Sequence, residues 1–185
     1  LTDVVATSAG DLELEGSNGT NVALGKTYTK SHTPNTQNPD TNNAEFTDGV
    51  EGTSYTDGKS FGYSYVELGI AEGGVGTLEI TVDLGALKWI YKATLASGDG
   101  DTTKKYEADI LEILTSADGT TFTSQGSVGT LNTPTKYLTV TFSPVQARYV
   151  RFRITKDLAP RGFPGDWLFI MEGYIYECYA PSGSR

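Results

Sequence analysis

Apolar and polar residues alternate with a period of two along much of the chain, and this alternation constrains the fold more than any other feature. Residues 78–84 read Leu-Glu-Ile-Thr-Val-Asp-Leu, so the apolar side chains fall on one face and the polar ones on the other. Residues 149–154 repeat the pattern. A half-buried β-strand has this periodicity. Similar β-like runs are predicted at residues 78–84, 89–95, 109–115, 137–142, 149–154 and 167–176.

Helical periodicity is weak by comparison. An apolar stripe with a period of 3.6 residues is nowhere sustained over more than about ten residues, so helices should be few and short. Asp118-Gly119, between Leu114 and Phe122, predicts a hairpin, because glycine accepts the positive φ of a tight turn. Strands separated by Gly and Asn turns are typical of a sandwich or barrel. We therefore predict an all-β fold.

The chain has 185 residues, which fits one domain with one core. Residues 1–20 are rich in Gly, Ser, Asp and Glu, and we interpret them as a linker or an added edge strand. Residues 21–180 are the predicted domain, and residues 181–185 are a tail. The chain begins at Leu1 without a basic and apolar leader, which we interpret as a mature or trimmed fragment.

Charge and cysteine content exclude several classes of protein. The chain has 14 Lys and Arg against 23 Asp and Glu, a net charge of −9, which argues against a general binder of nucleic acid or anionic membranes. No apolar stretch approaches the roughly 20 residues of a membrane-spanning helix, so membrane insertion is not expected. The single cysteine, Cys178, excludes an intramolecular disulfide and a multi-thiolate zinc site.

Motifs of catalysis are absent from the sequence. The one histidine, His32, cannot build a His-rich metal site, and no Gly-x-Ser-x-Gly motif accompanies it. The glycine-rich residues 72–76 are not followed by the Lys-Ser/Thr of a phosphate-binding loop. We therefore predict that the chain is not an enzyme. A small glycan-active enzyme is the remaining catalytic alternative, and it would require two acids with separated pKa values in one cleft.

The turn at residues 46–53, Phe-Thr-Asp-Gly-Val-Glu-Gly-Thr, combines hard oxygen ligands with two glycines. Calcium prefers six to eight such oxygens and does not require an EF-hand. The residues alone are also compatible with an ordinary solvated Asp-Gly turn.

Five segments occur in the order found in a known family. They make the chain resemble the discoidin domain, also called the coagulation factor V/VIII C-terminal type domain, which is galactose-binding-domain-like. The resemblance covers about residues 21–176 and implies a jelly-roll β-sandwich. Bacterial members are carbohydrate-binding modules appended to glycan-active enzymes. The segments are residues 21–26, 46–49, 80–85, 114–122 and 147–154.

The resemblance also implies a structural calcium ion beside the Asp-Gly turn. Carried over position by position, the side-chain ligands are Asp48, Thr53 and Glu172. Backbone carbonyls are expected from Glu45, Val50 and Met171. The alternative for Glu172 is that it pairs with an arginine.

A sugar site combines aromatic rings, which stack on CH faces, with planar polar groups on loops. Family members place such groups at one end of the sandwich, and the matching loops here are residues 31–44, 55–65, 97–106 and 157–167. Four candidates have an alternative: Trp167 could be core, Phe163 could be buried, His32 could be solvated, and Arg161 could form a surface ion pair. Tyr63 and Tyr65 share alternation with Phe61, and one of the two is expected to contact the ligand. The predicted ligand-binding residues are Trp167, Arg161, Phe163, Asp166, Tyr63, Tyr65 and His32.

The sequence thus predicts a non-catalytic carbohydrate-binding module of a secreted or cell-surface, multimodular protein, acting as a monomer. Its partners would be a polysaccharide or oligosaccharide and a neighbouring catalytic module. Affinity for an isolated oligosaccharide should be weak, with retention coming from avidity. The negative charge would favour a polyamine such as chitosan, although it does not exclude neutral glycans. The alternative is an adhesion or scaffolding domain that binds protein or cell-wall components.

Overall fold

The structure, a computed structural model, describes residues 19–98, 106–129, 136–158 and 167–180. Within these residues the regular structure is almost entirely β, with one 3₁₀ turn at Thr41–Asn43, which confirms the predicted fold class. The strands are β1 (Tyr28–Lys30), β2 (Phe61–Tyr63), β3 (Val75–Ser97), β4 (Ile110–Ser116), β5 (Thr123–Gly129), β6 (Tyr137–Asp157) and β7 (Leu168–Glu177).

Two long strands, β3 and β6, join the two layers of the sandwich. They pair in two stretches, and the register shifts between Asp83 and Lys88 of β3, where Gly85 adopts a φ of +82°. The first half of β3 also pairs with β1, whereas its second half pairs with β7. One layer is therefore β1-β3-β6-β4-β5, and the other is β2-β7-β3-β6.

The alternation read from the sequence correctly identifies the side chains of the core, although not the length of these strands. Residues 78–84 and 89–95 were expected as separate strands but form one strand, β3. Residues 137–142 and 149–154 likewise merge into β6. The chain bends through irregular ladder positions instead of leaving the sheet, and residues 84–87 of β3 lie between its two paired stretches.

The predicted hairpin at Asp118-Gly119 is confirmed. β4 and β5 pair antiparallel on either side of it, and Gly119 has a φ of +79°. The carboxylate of Asp118 accepts hydrogen bonds from the backbone N–H groups of Thr120 and Thr121, at 2.8 and 2.9 Å. An aspartate that satisfies the free N–H groups of a turn stabilises that turn.

A bulge in β7 changes the face of the strand that points into the core. Leu168 and Ile170 face the core before the bulge, and Ile175 faces it afterwards. Ala96 pairs with Glu172 and Ser97 with Ile170, so Met171 is the extra residue. The bulge turns Glu172 toward the outer face of the β2-β7-β3-β6 layer, where it contacts the backbone of Gly49.

Residues at the start of the described chain are anchored to β7. Asn21 forms a β-bridge with Tyr176, and the N–H of Glu177 donates to the carbonyl of Thr20. Residues 1–18 and 181–185, which carry the predicted linker and tail, lie outside the described residues. Among the residues described, no helix has the length and apolar character needed to cross a bilayer.

Candidate functional site

The segment 46–57, which we call the outer loop, packs against β7. It is held at its start by Phe46, whose fully buried ring makes an edge-to-face contact with Phe152 at 5.1 Å. The N–H of Gly173 donates to the Phe46 carbonyl at 2.8 Å. A Cβ at position 173 would overlap the Phe46 ring, so glycine permits this close approach. The outer loop thus begins from a fixed point in the core.

The outer loop and β7 bring two predicted cation ligands together. The N–H of Gly49 donates to Glu172 Oε2 at 3.1 Å, and the N–H of Val50 donates to Asp48 Oδ1 at 2.8 Å. Gly49 has a φ of +80°, which most side chains would resist. Burial raises the pKa of Glu172, and Asp48 lies close enough for its charge to raise it further. Two acidic groups this near each other favour a shared proton or a cation.

Glu172 lacks the partners that a buried charge needs. It is fully buried, and its Oε1 has no hydrogen-bond partner. Burial, followed by the charge of Asp48, raises the pKa of Glu172 to about 8, although the hydrogen bond from Gly49 opposes this rise. An unpaired buried carboxylate is costly, so the site favours either a proton or a positive ion.

Glu45 contributes a second carboxylate of the same kind. It is almost fully buried, and its Oε2 has no hydrogen-bond partner. Burial raises the pKa of Glu45 against the opposing hydrogen bonds from Thr41, and the charges of Asp40 and Asp48 add to the rise. Sequence reasoning expected only the carbonyl of Glu45. The missed signal was an acidic residue directly before the buried Phe46.

The structure supports the other predicted cation ligands, Met171 and Thr53, to different degrees. Met171 occupies the bulge of β7, where an extra residue is left out of the ladder pairing. Thr53 is exposed, and its hydroxyl donates to Asp57 at 3.3 Å, which leaves the oxygen able to accept. In the described part of the chain, no three His, Cys, Asp or Glu side chains gather closely enough to hold a metal. An ion here would therefore need carbonyl ligands as well as Asp48 and Glu172.

Four aromatic rings gather farther along the same loop and strand, and we call them the ring cluster. Phe169 is its centre and is almost fully buried. Trp167 lies parallel to Phe169, with 5.7 Å between ring centroids and 10° between planes. Tyr106 meets Phe169 edge to face at 5.3 Å, and Tyr55 meets it at 5.4 Å. Tyr55 is 41% exposed, whereas Trp167 and Tyr106 are half-buried.

Backbone contacts fix the ring cluster. The N–H of Phe169 donates to the carbonyl of Tyr106 at 3.0 Å, and the N–H of Gly98 donates to the carbonyl of Phe169 at 2.9 Å. Gly62 of β2 lies under the Phe169 ring, where a Cβ would stand 2.7 Å from Cε1. Three predicted loops, 55–65, 97–106 and 157–167, therefore meet at Phe169.

The predicted ligand-binding residues divide into three groups. Trp167 belongs to the ring cluster. Arg161, Phe163 and Asp166 lie outside the described residues. Tyr63 is a correction: it is fully buried, because strand alternation turns it into the core with Phe61 and turns Gly62 toward Phe169.

Tyr65 and His32 occupy positions that differ from the ring cluster. Tyr65 is half-buried and packs against the core. His32 is half-buried, its Nδ1 forms a hydrogen bond with the hydroxyl of Ser31 at 2.8 Å, and its carbonyl accepts from the hydroxyl of Tyr63 at 3.3 Å. Sequence reasoning identified the loops of the ring cluster, but not Tyr55, Tyr106 or Phe169. The available signal was that Tyr55 and Tyr106 are end residues of the predicted loops 55–65 and 97–106.

Comparisons with known proteins agree with this architecture. The family model of the F5/8 type C domain matches residues 27–172. No curated protein sequence matches the chain. The lectin domain of lectinolysin, solved with Lewis B antigen, has a TM-score of 0.61 at 18% identity, covering 86% of this chain and 98% of that one.

Two further solved structures share the fold. Chitosan-binding module 1, from a chitosanase/glucanase of Paenibacillus sp. IK-5, has a TM-score of 0.55 at 23% identity, covering 85% of this chain and 98% of that one. A fucose binding module of Streptococcus pneumoniae has a TM-score of 0.58 at 14% identity, covering 86% and 96%.

Proposed function

The chain belongs to the F5/8 type C domain family, and we propose that it is a non-catalytic carbohydrate-binding module that carries a structural calcium ion. The ring cluster would bind the glycan. In this proposal the module is monomeric, is part of a secreted or cell-surface protein, and keeps a neighbouring catalytic module near its polysaccharide.

The observation that carries the proposal is the ring cluster itself. Half-exposed aromatic rings at the meeting point of three loops offer flat apolar surface to the CH faces of a sugar. Trp167 is held parallel to Phe169, and Phe169 is held by backbone hydrogen bonds on both sides. Because the rings are ordered before a ligand arrives, binding would lose little conformational entropy.

Similar structures support the same class of ligand. The lectinolysin domain was solved with Lewis B antigen, and the other two are described as chitosan-binding and fucose-binding modules. The chitosan-binding module derives from a chitosanase/glucanase, which supports a role beside a catalytic module. A single shallow site of this kind would bind an isolated oligosaccharide weakly, and several modules together would provide avidity.

The calcium part of the proposal depends on the acidic residues at the outer loop. Glu45 Oε2 and Glu172 Oε1 are buried without hydrogen-bond partners, and the N–H of Gly49, next to Asp48, donates to Glu172 Oε2. A bound calcium ion would supply the positive charge that these oxygens lack. Asp48 and Glu172 would hold it with their carboxylates, and the carbonyls of Glu45, Val50 and Met171 and the hydroxyl of Thr53 are the remaining proposed ligands.

A glycan array with polysaccharide affinity gels, in buffer that contains calcium, tests the binding function. We expect selective binding that Trp167→Ala and Tyr55→Ala each weaken at least about tenfold, as for an anchoring aromatic in an interface. Tyr179→Ala is the matched control, because Tyr179 is 80% exposed and lies at the far end of β7.

Three results would count against the proposal. Equal losses in Tyr55→Ala and Tyr179→Ala would exclude a specific site at the ring cluster. Absence of binding to every glycan would favour the adhesion or scaffolding alternative. A folded Trp167→Ala variant with full affinity would place the glycan elsewhere.

A further inference from the structure

The carboxylate of Glu51 fastens the middle of the outer loop to the sheet. Its Oε2 accepts from the hydroxyl of Tyr137 at 2.6 Å and lies 2.5 Å from the ammonium of Lys136. Its Oε1 accepts from the hydroxyl of Tyr174. Lys136 Nζ also reaches the carbonyl of Gly52, at 3.4 Å.

These contacts span three adjacent strands. Tyr137 opens β6 and Tyr174 belongs to β7, and the two strands lie on either side of β3. The carbonyl of Lys136 accepts from the N–H of Ser97, which ties the same segment to the end of β3. The side chain of Glu51 is only 19% exposed, so its hydrogen bonds are partly protected from water. The outer loop can therefore move away from the sheet only when these contacts break.

Along the chain, Glu51 lies between Asp48 of the cation site and Tyr55 of the ring cluster. Asp48, three residues before Glu51, directly precedes Gly49, whose N–H donates to Glu172. Four residues after it, Tyr55 packs on Phe169. The side chain of Glu51 thus forms hydrogen bonds to both β6 and β7.

We propose that Glu51 is a positioning residue that couples the cation site at Asp48 to the ring cluster at Tyr55. This inference rests on the proposed function above. A cation held between Asp48 and Glu172 would fix one end of the outer loop, and Glu51 would transmit that order to Tyr55. By linkage, the cation then strengthens glycan binding, and the glycan strengthens cation binding by the same factor.

The first test uses calcium alone and requires no glycan. Hydrogen–deuterium exchange of the amides of residues 54–58, which lie beyond the proposed cation ligands, is measured at saturating calcium and in chelated buffer. Calcium should slow this exchange at least about fivefold in the wild type, the lower end of ordinary coupling between sites. In Glu51→Ala, calcium should still bind, but exchange of the same amides should change less than about twofold.

Two variants make this test specific. Glu177→Ala is the matched control, because it removes an acid that pairs with Lys88 at 3.2 Å at the other end of β7. It should behave as the wild type. The double variant Tyr137→Phe with Tyr174→Phe keeps the Glu51 charge and both rings but removes the two hydroxyl donors. It should reduce the calcium effect in the same direction as Glu51→Ala.

The second test repeats the comparison with whichever glycan the array identifies. The dissociation constant of the wild type should rise at least about fivefold when calcium is removed, whereas that of Glu51→Ala should rise less than about twofold. Loss of calcium binding in Glu51→Ala would place Glu51 in the cation site and overturn the proposal. The proposal would also be overturned if calcium changed exchange and glycan affinity in folded Glu51→Ala as much as in the wild type. If calcium slows exchange as expected but no glycan binds the protein, only the proposed glycan function is overturned.

Discussion

The acidic residues at Asp48 and the ring cluster at Tyr55 occupy the same outer loop and the same strand, yet their chemistry is opposite. Glu45 and Glu172 are buried acids, and each has one carboxyl oxygen without a hydrogen-bond partner. Tyr55 and Trp167 are neutral rings that remain partly exposed. Unpaired buried oxygens and exposed apolar rings are therefore different physical signs of a binding region.

The largest expected effect is at the centre of the ring cluster. Phe169→Ala should destabilise the protein by about 3–5 kcal/mol, because it removes a buried ring that three other rings contact. Urea unfolding monitored by fluorescence measures this change. Calcium binding should survive in the folded fraction, since Glu172 lies beyond the bulge. Loss of calcium binding in a folded Phe169→Ala protein would contradict the separation of the two regions.

Removal of calcium should have the next largest effect on stability, and this effect should arise at the acidic residues near Asp48 and not at the ring cluster. At a calcium concentration of 100 times its dissociation constant, binding stabilises the native state by about 2.7 kcal/mol. For a chain of this length, EDTA should lower the melting temperature by about 5–10 °C, and added calcium should restore it. Asp48→Asn should abolish the response, whereas Trp167→Ala should retain it. No shift in the wild type would remove calcium from the proposal.

The fold could be predicted because alternation records burial directly. Ile80, Val150 and Phe152 were expected inside and are fully buried. The short strands β1 and β2 were missed, since three residues are too few to establish a period. The merging of runs into β3 and β6 depends on pairing between residues far apart in sequence, which no local pattern encodes.

The candidate sites were also predictable to different degrees, because local patterns do not encode contacts between residues far apart in sequence. Asp48 and Glu172 follow from the resemblance to the family, and the N–H of Gly49, next to Asp48, donates to Glu172. Phe169, in contrast, resembles any core residue of the last strand, and its role depends on Gly62 of β2 leaving room for the ring. Tyr63 was misassigned because the alternation that it shares with Phe61 gives the face of the strand but not which face is core, and β2 turns both rings inward.

The pH dependence of stability should separate the two regions at a smaller scale. The pKa of Glu172 is raised to about 8 from an ordinary value of 4.5, so the native state binds the proton more tightly than the unfolded chain. In buffer freed of divalent cations, this contribution is fully present below about pH 4.5 and is lost as the pH rises through 8.

Between these limits, one such proton gives a slope of at most about 1.4 kcal/mol per pH unit. Urea unfolding from pH 5 to 8.5 measures this slope. Glu172→Gln should flatten it, because the amide does not titrate, and Tyr55→Ala should leave it unchanged. Saturating calcium should also flatten it, since the ion replaces the proton. A wild-type stability that increases over this range would contradict an unpaired Glu172 carboxylate.

The smallest effect concerns how Tyr55 interacts with each region. A double-mutant cycle in EDTA between Tyr55→Ala and Tyr106→Ala should give a coupling energy of about 0.5–1.5 kcal/mol, as for other packed aromatic pairs. The cycle between Tyr55→Ala and Asp48→Asn should give less than about 0.5 kcal/mol, because no direct contact joins them. If both cycles gave the same coupling, the outer loop would be one cooperative unit even without a cation. Glu51 would then stabilise the loop without transmitting the effect of cation binding.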